Sequence, residues 1–224
     1  MLFRSRVITP SGAVIGGTRS LSSSGYSISA VPEATRLGNG NVLYVWETTN
    51  DWGNKHLAYQ ILDANGNLSG GANVFALNQG RVSKHTAKLA NGNGVIVWGN
   101  DFNKVRFQIV SETGSTVGGI TEITTEGDSQ GHLKRPLVVG KPNGGFYLVW
   151  ATHIGETAKI QMREFTDTGS EVGTLRTLAT FSISMSGGYR IALGGLSAYS
   201  NGDIVVSYSQ GLYEAYYNGN GAYG

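Results

Sequence analysis

The stretch "NGNGVIVW", Asn91–Trp98, decides how the chain is read. Asn-Gly ahead of a short apolar run is a strong hairpin signal, because Gly and Asn accept the left-handed backbone that tight turns require. The same frame returns as "NGNVLYVW" (Asn39–Trp46), "NGGFYLVW" (Asn143–Trp150) and "NGDIVVSY" (Asn201–Tyr208), with Tyr replacing Trp in the last. The aromatic always stands seven residues after the Asn, and successive aromatics are 52, 52 and 58 residues apart. Self-similarity at a period of about 50 residues points to a propeller or solenoid before any other architecture.

Each copy extends in both directions as strand-like runs. "EATRL" precedes the turn at Asn39, and a third run follows each aromatic: "HLAYQIL" (56–62), "KVRFQIV" (104–110) and "KIQMREF" (159–165). A second turn comes next, "DANGNLSG" (63–70), "SETGSTVG" (111–118) or "TDTGSEVG" (166–173), and then a fourth run such as "NVFAL" (73–77) or "ITEIT" (120–124). These runs are short, β-rich and partly alternating, as half-buried strands are. The unit is therefore a four-stranded antiparallel meander with strands a, b, c and d, and no segment reads as a helix. Strand d starts near a second glycine, four residues after Gly66, Gly114 or Gly169.

The two ends carry partial units. Residues 2–20 begin at strand c, and 191–217 hold a, b and part of c. The expected fold is all-β: a small β-propeller of four-stranded antiparallel blades, four in number, with the N- and C-terminal segments sharing one blade. Such closure removes exposed strand edges. Residues 1–224 then form one domain, with units near 1–30 (partial), 31–83, 84–134, 135–189 and 190–224 (partial). "LYEAYY" (212–217) competes with residues 3–8 for the role of strand c, so a five-bladed ring or an open array completed by another chain stands beside the four-bladed reading.

Composition limits the function classes. The 34 glycines without a Gly-X-Y period fit a chain of many tight turns. A net charge of +2 and a longest basic run of "HLKR" (132–135) give no basic patch for nucleic acid. With no cysteine there is no disulfide or thiolate metal site. The basic N-terminus lacks the apolar core of a secretory signal, and no run of about 20 apolar residues suggests membrane insertion. These features do not reveal the compartment; they permit a virion or extracellular location without a classical signal peptide.

The texture of Pro, small apolar strand, Asn/Asp-Gly, apolar residues and Trp, Gln in strand c, then Asp-x-x-Gly resembles the roughly 50-residue repeats of large bacterial surface and secreted proteins. Pro32 and Pro136 hold the Pro position, Trp46, Trp98 and Trp150 the Trp position, and Gln60, Gln108 and Gln161 the Gln position. The resemblance covers nearly the whole chain. It implies a propeller-like scaffold without catalytic residues, in a family that includes adhesins, lectin-like modules and phage structural proteins.

Function on a repeated scaffold sits where the repeat varies. The a–b and c–d turns are near-copies of one another, whereas the b–c loops "ETTNDWGNK" (47–55), "GNDFN" (99–103) and "ATHIGET" (151–157) differ in charge and aromatic content. Trp52 lies outside any strand pattern, flanked by Asp51 and Asn54, with Asp101 and Phe102 in the similar place of the next unit. An aromatic face beside carboxylate and amide groups suits a sugar, whose CH face stacks while its hydroxyls find partners. The competing reading is that Trp52 covers a blade edge or packs on a neighbouring loop. Trp46, Trp98 and Trp150 are read as core.

No cofactor or metal site is expected. His56, His85, His132 and His153 lack a short-spaced ligand pair, and "DANGN" (63–67) lacks the later carboxylates of a calcium loop. The favoured function is a non-enzymatic recognition or assembly module for a glycan or protein surface, such as a lectin-like adhesin or a phage virion or tail accessory protein, with homo-oligomers or other virion subunits as partners. A glycosidase or sialidase-like enzyme is the second reading, because Asp51, Asp101 and Glu156 occupy equivalent loops and Arg81, Arg135 and Arg190 lie in linkers, although the Asp-box pattern is missing. A purely structural subunit is the third.

Overall fold

The computed structural model describes residues 3–21, 26–28, 32–76, 83–99, 103–126, 136–183 and 189–212. They form an all-β chain of antiparallel sheets taken in sequence order. Sheet I pairs β1 (Phe3–Ile8) with β2 (Val14–Leu21). Sheet II holds β3 (Tyr26–Ile28), β4 (Glu33–Arg36), β5 (Val42–Asn50), β6 (Lys55–Leu62) and β7 (Leu68–Ala76). Sheet III is β8 (Ser83–Lys88), β9 (Gly94–Gly99), β10 (Lys104–Val110) and β11 (Thr116–Thr124), and sheet IV is β12 (Leu137–Gly140), β13 (Phe146–Ile154), β14 (Thr157–Phe165) and β15 (Glu171–Ser182). Sheet V pairs β16 (Tyr189–Ala198) with β17 (Ile204–Leu212). The expected meander is present in III and IV. In II, strand a is split, since β3 and β4 pair with different parts of β5.

The turns share one geometry. The N–H of the first residue donates to the carbonyl four residues on, as Leu37 does to Asn41 at 2.7 Å, and the glycine N–H donates back, as Gly40 does to Leu37 at 3.2 Å. The same pair of bonds recurs from Thr9, Asp63, Leu89, Ser111, Lys141, Thr166 and Tyr199. Gly12, Gly40, Gly66, Gly92, Gly114, Gly144, Gly169 and Gly202 carry the positive φ, between 78° and 98°. Asn-Gly thus builds a three-residue hairpin loop, a type I turn closed by a left-handed glycine, which fixes the register of every a–b and c–d pair.

The second glycine of each c–d turn marks a bulge. Gly70, Gly118 and Gly173 also have positive φ, and the register slips beside them, skipping Gln60, Gln108 and Arg163 of the paired strand. Gln60 donates through Nε2 to the Gly70 carbonyl at 2.8 Å, and Gln108 donates to Ile109, Val117 and Gly118. The residue equivalent to these glutamines in sheet IV is therefore Arg163, paired with Glu171 at 2.6 Å, and not Gln161. Gln161 lies opposite Trp150, where sheet II has Ala58 opposite Trp46. In sheet I the skipped residue is Arg6.

Alternation along the b strands gives sheets II, III and IV two apolar faces. Residues three, five and seven after the repeat Asn face the preceding sheet, and those between them face the following one. Trp46, with Leu62, packs toward Leu21 of sheet I. Leu43, Val45, Tyr59 and Ile61 of sheet II pack on Ile96, Trp98 and Val110 of sheet III, where Phe75 stacks between Tyr59 and Trp98 at ring distances of 5.2 and 5.7 Å. Phe107 of sheet III meets Phe146 and Phe165 of sheet IV at 5.1 and 4.8 Å. Val149, Ile160 and Met162 of sheet IV close on Ile191, Leu193 and Val206 of sheet V. Trp46, Trp98 and Trp150 are at most 1% exposed, as expected for core aromatics.

The a strands lie side by side at the inner edge. β4 packs on β8, β8 on β12, and β12 on β16. Thr86 donates to the Thr35 hydroxyl at 2.8 Å across the first junction, and the Val138 N–H donates to His85 Nδ1 at 3.2 Å across the second. A Cβ on Gly140 would run into the Lys88 carbonyl, so glycine sets the approach of β12 to β8. The outermost strand β15 is the longest and mostly exposed.

One expectation is not met. Among the described residues the N- and C-terminal segments do not share a sheet: β1–β2 and β17–β16 form separate two-stranded sheets, and no packing comparable to the other inner pairs joins β16 to β4. Sheet I is held on sheet II, with Arg19 donating to the Gly66 carbonyl at 3.1 Å and to Asn67 Oδ1 at 2.8 Å, while sheet V is held on sheet IV. Among the described residues the array is open.

Candidate functional site

Trp52 stands at the tip of the β5–β6 hairpin. The tip has the same turn chemistry as the other loops: Asn50 N–H donates to the Asn54 carbonyl at 3.0 Å and Gly53 N–H donates back at 2.9 Å. Asn50 plays the part that Asp63, Ser111 and Thr166 play elsewhere, its Oδ1 accepting from the N–H groups of Trp52 at 3.1 Å and Asn54 at 2.9 Å. Gly53, at φ 80°, takes the left-handed position. The backbone of the tip is thus pinned by its own hydrogen bonds, and the side chains of Asp51, Trp52 and Asn54 are left to point outward.

Trp52 is 86% exposed. This is the highest exposure of any large apolar side chain among the described residues. Asp51 and Asn54 beside it are also exposed. Beneath the tip, Lys55 pairs with the buried Glu47 carboxylate at 2.6 Å, neutralising it inside the sheet and leaving Asp51 as the carboxylate of the tip itself. A freely presented indole face flanked by one carboxylate and one carboxamide can stack on a sugar ring and accept or donate hydrogen bonds to its hydroxyls.

Asp101 and Phe102 lie outside the described residues, as do Arg81, His132 and Arg135. The third b–c loop is shorter than its sequence suggests. β13 runs to Ile154 and β14 begins at Thr157, so only Gly155 and Glu156 form the turn, with Ile154 40% exposed. His153 is inside β13 and buried, its Nε2 accepting from Ile191 N–H at 3.2 Å. His85 and His153 therefore tie one sheet to the next. No group of three or more metal-binding side chains gathers among the described residues.

The remaining polar clusters are structural in kind. Glu122 is bracketed by Lys104 and by Arg106 at 2.7 Å, and the Lys104 hydrogen bond followed by that of Arg106 holds its carboxyl below the usual range. The backbone N–H of Asn67 does the same for Asp63, which caps a hairpin turn as its sequence suggested. Burial pushes the Tyr59 phenol up, and its hydroxyl donates to the Gly114 carbonyl at 3.0 Å. A shallow hollow of about 380 Å³ opens at the inner ends of β8, β12 and β16, lined by Lys88, Gly140, Lys141, Pro142 and Ser197. Lys141 there is committed to Glu164 at 2.5 Å.

No protein-family model matches the chain, and no curated protein matches it. Among the described residues no helix is long and apolar enough to cross a membrane.

Proposed function

We propose that this chain is a non-enzymatic recognition or assembly module of β-propeller type. Sheets II, III and IV are its whole blades, and sheets V and I supply strands a–b and c–d of one more, giving four blades per chain. The inner series β4, β8, β12 and β16, with the d strands outermost, supports this arrangement.

The observation that carries the recognition reading is the exposure of Trp52 on a hydrogen-bonded tip. Holding a bare indole in water forgoes roughly 1.5–3 kcal/mol of burial, which a binding partner recovers. The flanking Asp51 and Asn54 favour a glycan as that partner, with Asp101 and Phe102 of the next loop as further contacts. A virion or extracellular setting, as in lectin-like adhesins and phage tail proteins, provides such surfaces.

The test is a panel of immobilised glycans probed with the native chain and with Trp52→Ala. Loss of about 30-fold or more in affinity for a bound glycan, with an unchanged melting temperature, supports the reading, since that factor is the usual hot-spot threshold of ~2 kcal/mol. Equal binding by the variant moves the site elsewhere. Early unfolding of the variant makes Trp52 a packing residue.

A further inference from the structure

Strands b and c pair with one register in the three whole sheets. The residue three after the repeat Asn lies opposite the last residue before the c–d turn: Val42 opposite Leu62, Gly94 opposite Val110, Phe146 opposite Phe165. Sheet V has a strand b, β17, but no strand c among the described residues, and sheet I has a strand c, β1, but no strand b. Carrying the register over sets Ile204 opposite Ile8, Val205 opposite Val7 and Tyr208 opposite Arg4.

The faces agree with this pairing. Ile204, Val206 and Tyr208 turn toward sheet IV, where Tyr208 meets Phe181 at 5.2 Å. Ile8 and Val14 form a cross-strand pair on the side of sheet I that faces away from sheet II. Ile8 is 61% exposed, whereas Leu62, Val110 and Phe165 at its place are at most 2% exposed; Val14 matches Leu68, Thr116 and Glu171, which are exposed at its own place in the whole sheets. On the other face, Val7 lies against Gly66 as Ile61 lies against Gly114 and Ile109 against Gly169. Val205 occupies the place of Leu43 and Val95, yet it is 48% exposed while they are fully buried. Each half-sheet is short of the strands and the cover that the other one carries.

We infer that the missing halves come from a second copy of this chain: β17 of one copy pairs with β1 of the next, with Ile204 opposite Ile8, completing a four-stranded blade β16–β17–β1–β2 across the interface. A second copy is favoured over closure within one chain because sheets I and V are each docked at opposite ends of the array, and the packed inner series ends at β16 without returning to β4. The contact is head-to-tail, so it either closes into a ring or propagates. Two copies closing on each other make eight blades, within the range of known propeller rings. The join satisfies two strand edges and covers Ile8 and Val205. This inference extends the assembly arm of the proposed function and leaves the Trp52 tip untouched, so either can fail without the other.

The chain has no cysteine, which makes disulfide trapping clean. Protein carrying only Val205→Cys is mixed with protein carrying only Val7→Cys, and separately Ile204→Cys with Ile8→Cys. Adjacent antiparallel pairs alternate between Cα separations of about 4.5 and 5.5 Å, so one of the two mixtures has the closer geometry and both lie within disulfide reach. A mixture of Val205→Cys with Ser20→Cys, on the far strand of sheet I, is the mismatched control. The expected result is a mixed disulfide in at least one matched pair at ten-fold or more the yield of the control, with each single variant melting as the native chain does. Matched yields equal to the control overturn the inference. So does a Val7→Cys/Val205→Cys double variant that crosslinks only within single chains, which would mean closure by one copy.

Discussion

Ile8 and Leu62 occupy the same position, the last residue of strand c before its turn, yet Leu62 is 2% exposed and Ile8 is 61% exposed. The sequence repeats and the local geometry repeats, so the difference comes from the neighbour. Leu62 packs with Leu21 of sheet I, whereas Ile8 is left mostly exposed. Leu62→Ala should cost about 2–5 kcal/mol in urea unfolding, as large-to-small changes in cores do. Ile8→Ser should cost less than about 1 kcal/mol in the dissociated chain while weakening self-association. If the two substitutions destabilise the dissociated chain equally, Ile8 is a core residue there and the open array is wrong.

The framework Trp residues should behave as pure packing groups. Among the described residues the Nε1 atoms of Trp46, Trp98 and Trp150 are buried without a hydrogen-bond partner, so packing is what a smaller ring would lose. Trp98→Phe should then cost clearly less than Trp98→Ala, for which about 3–5 kcal/mol is expected. Equal losses in the two variants, read by chemical denaturation, would contradict the pure packing role.

Fluorescence separates Trp52 from the other three indoles. Acrylamide should quench one component strongly and leave the remainder protected, and Trp52→Ala should remove the quenchable component alone. A quenchable fraction that survives this substitution would place an exposed indole elsewhere.

Acid should weaken the fold through Glu122 and Asp63. Both carboxyls sit below their usual range in the folded chain, Glu122 chiefly by the Lys104 hydrogen bond and Asp63 chiefly by the Asn67 N–H. A depressed folded pKa gives stability that is present above the unfolded value, near 4, and is lost as pH falls through the folded one. Both groups are solvent-exposed, so screening keeps the effect small. Glu122→Gln should lower the melting temperature slightly at pH 7 and leave it unchanged at pH 2. A gap that widens toward low pH would reverse the sign.

The repeat was legible because three local signals coincide: a left-handed Gly in each turn, alternating apolar residues and an aromatic at a fixed offset. Trp52 stood out for the converse reason, as an aromatic that no alternation explains. Gln161 does lie in strand c, but the bulge position equivalent to Gln60 and Gln108 belongs to Arg163. Counting back from the Thr166 turn finds Arg163 at the bulge instead. The b–c loops proved shorter than they read because Glu47, Thr48, Thr152 and His153 are polar yet buried within strands. Closure could not be read locally at all, since it depends on how four inter-sheet junctions add up.

Sedimentation of the native chain across a wide concentration range tests the account most directly. Completion of the fourth blade by another copy predicts a mass that rises with concentration to multiples of 23.7 kDa, and a shift back to single chains in Ile8→Ser. A native chain that stays at 23.7 kDa throughout would contradict it.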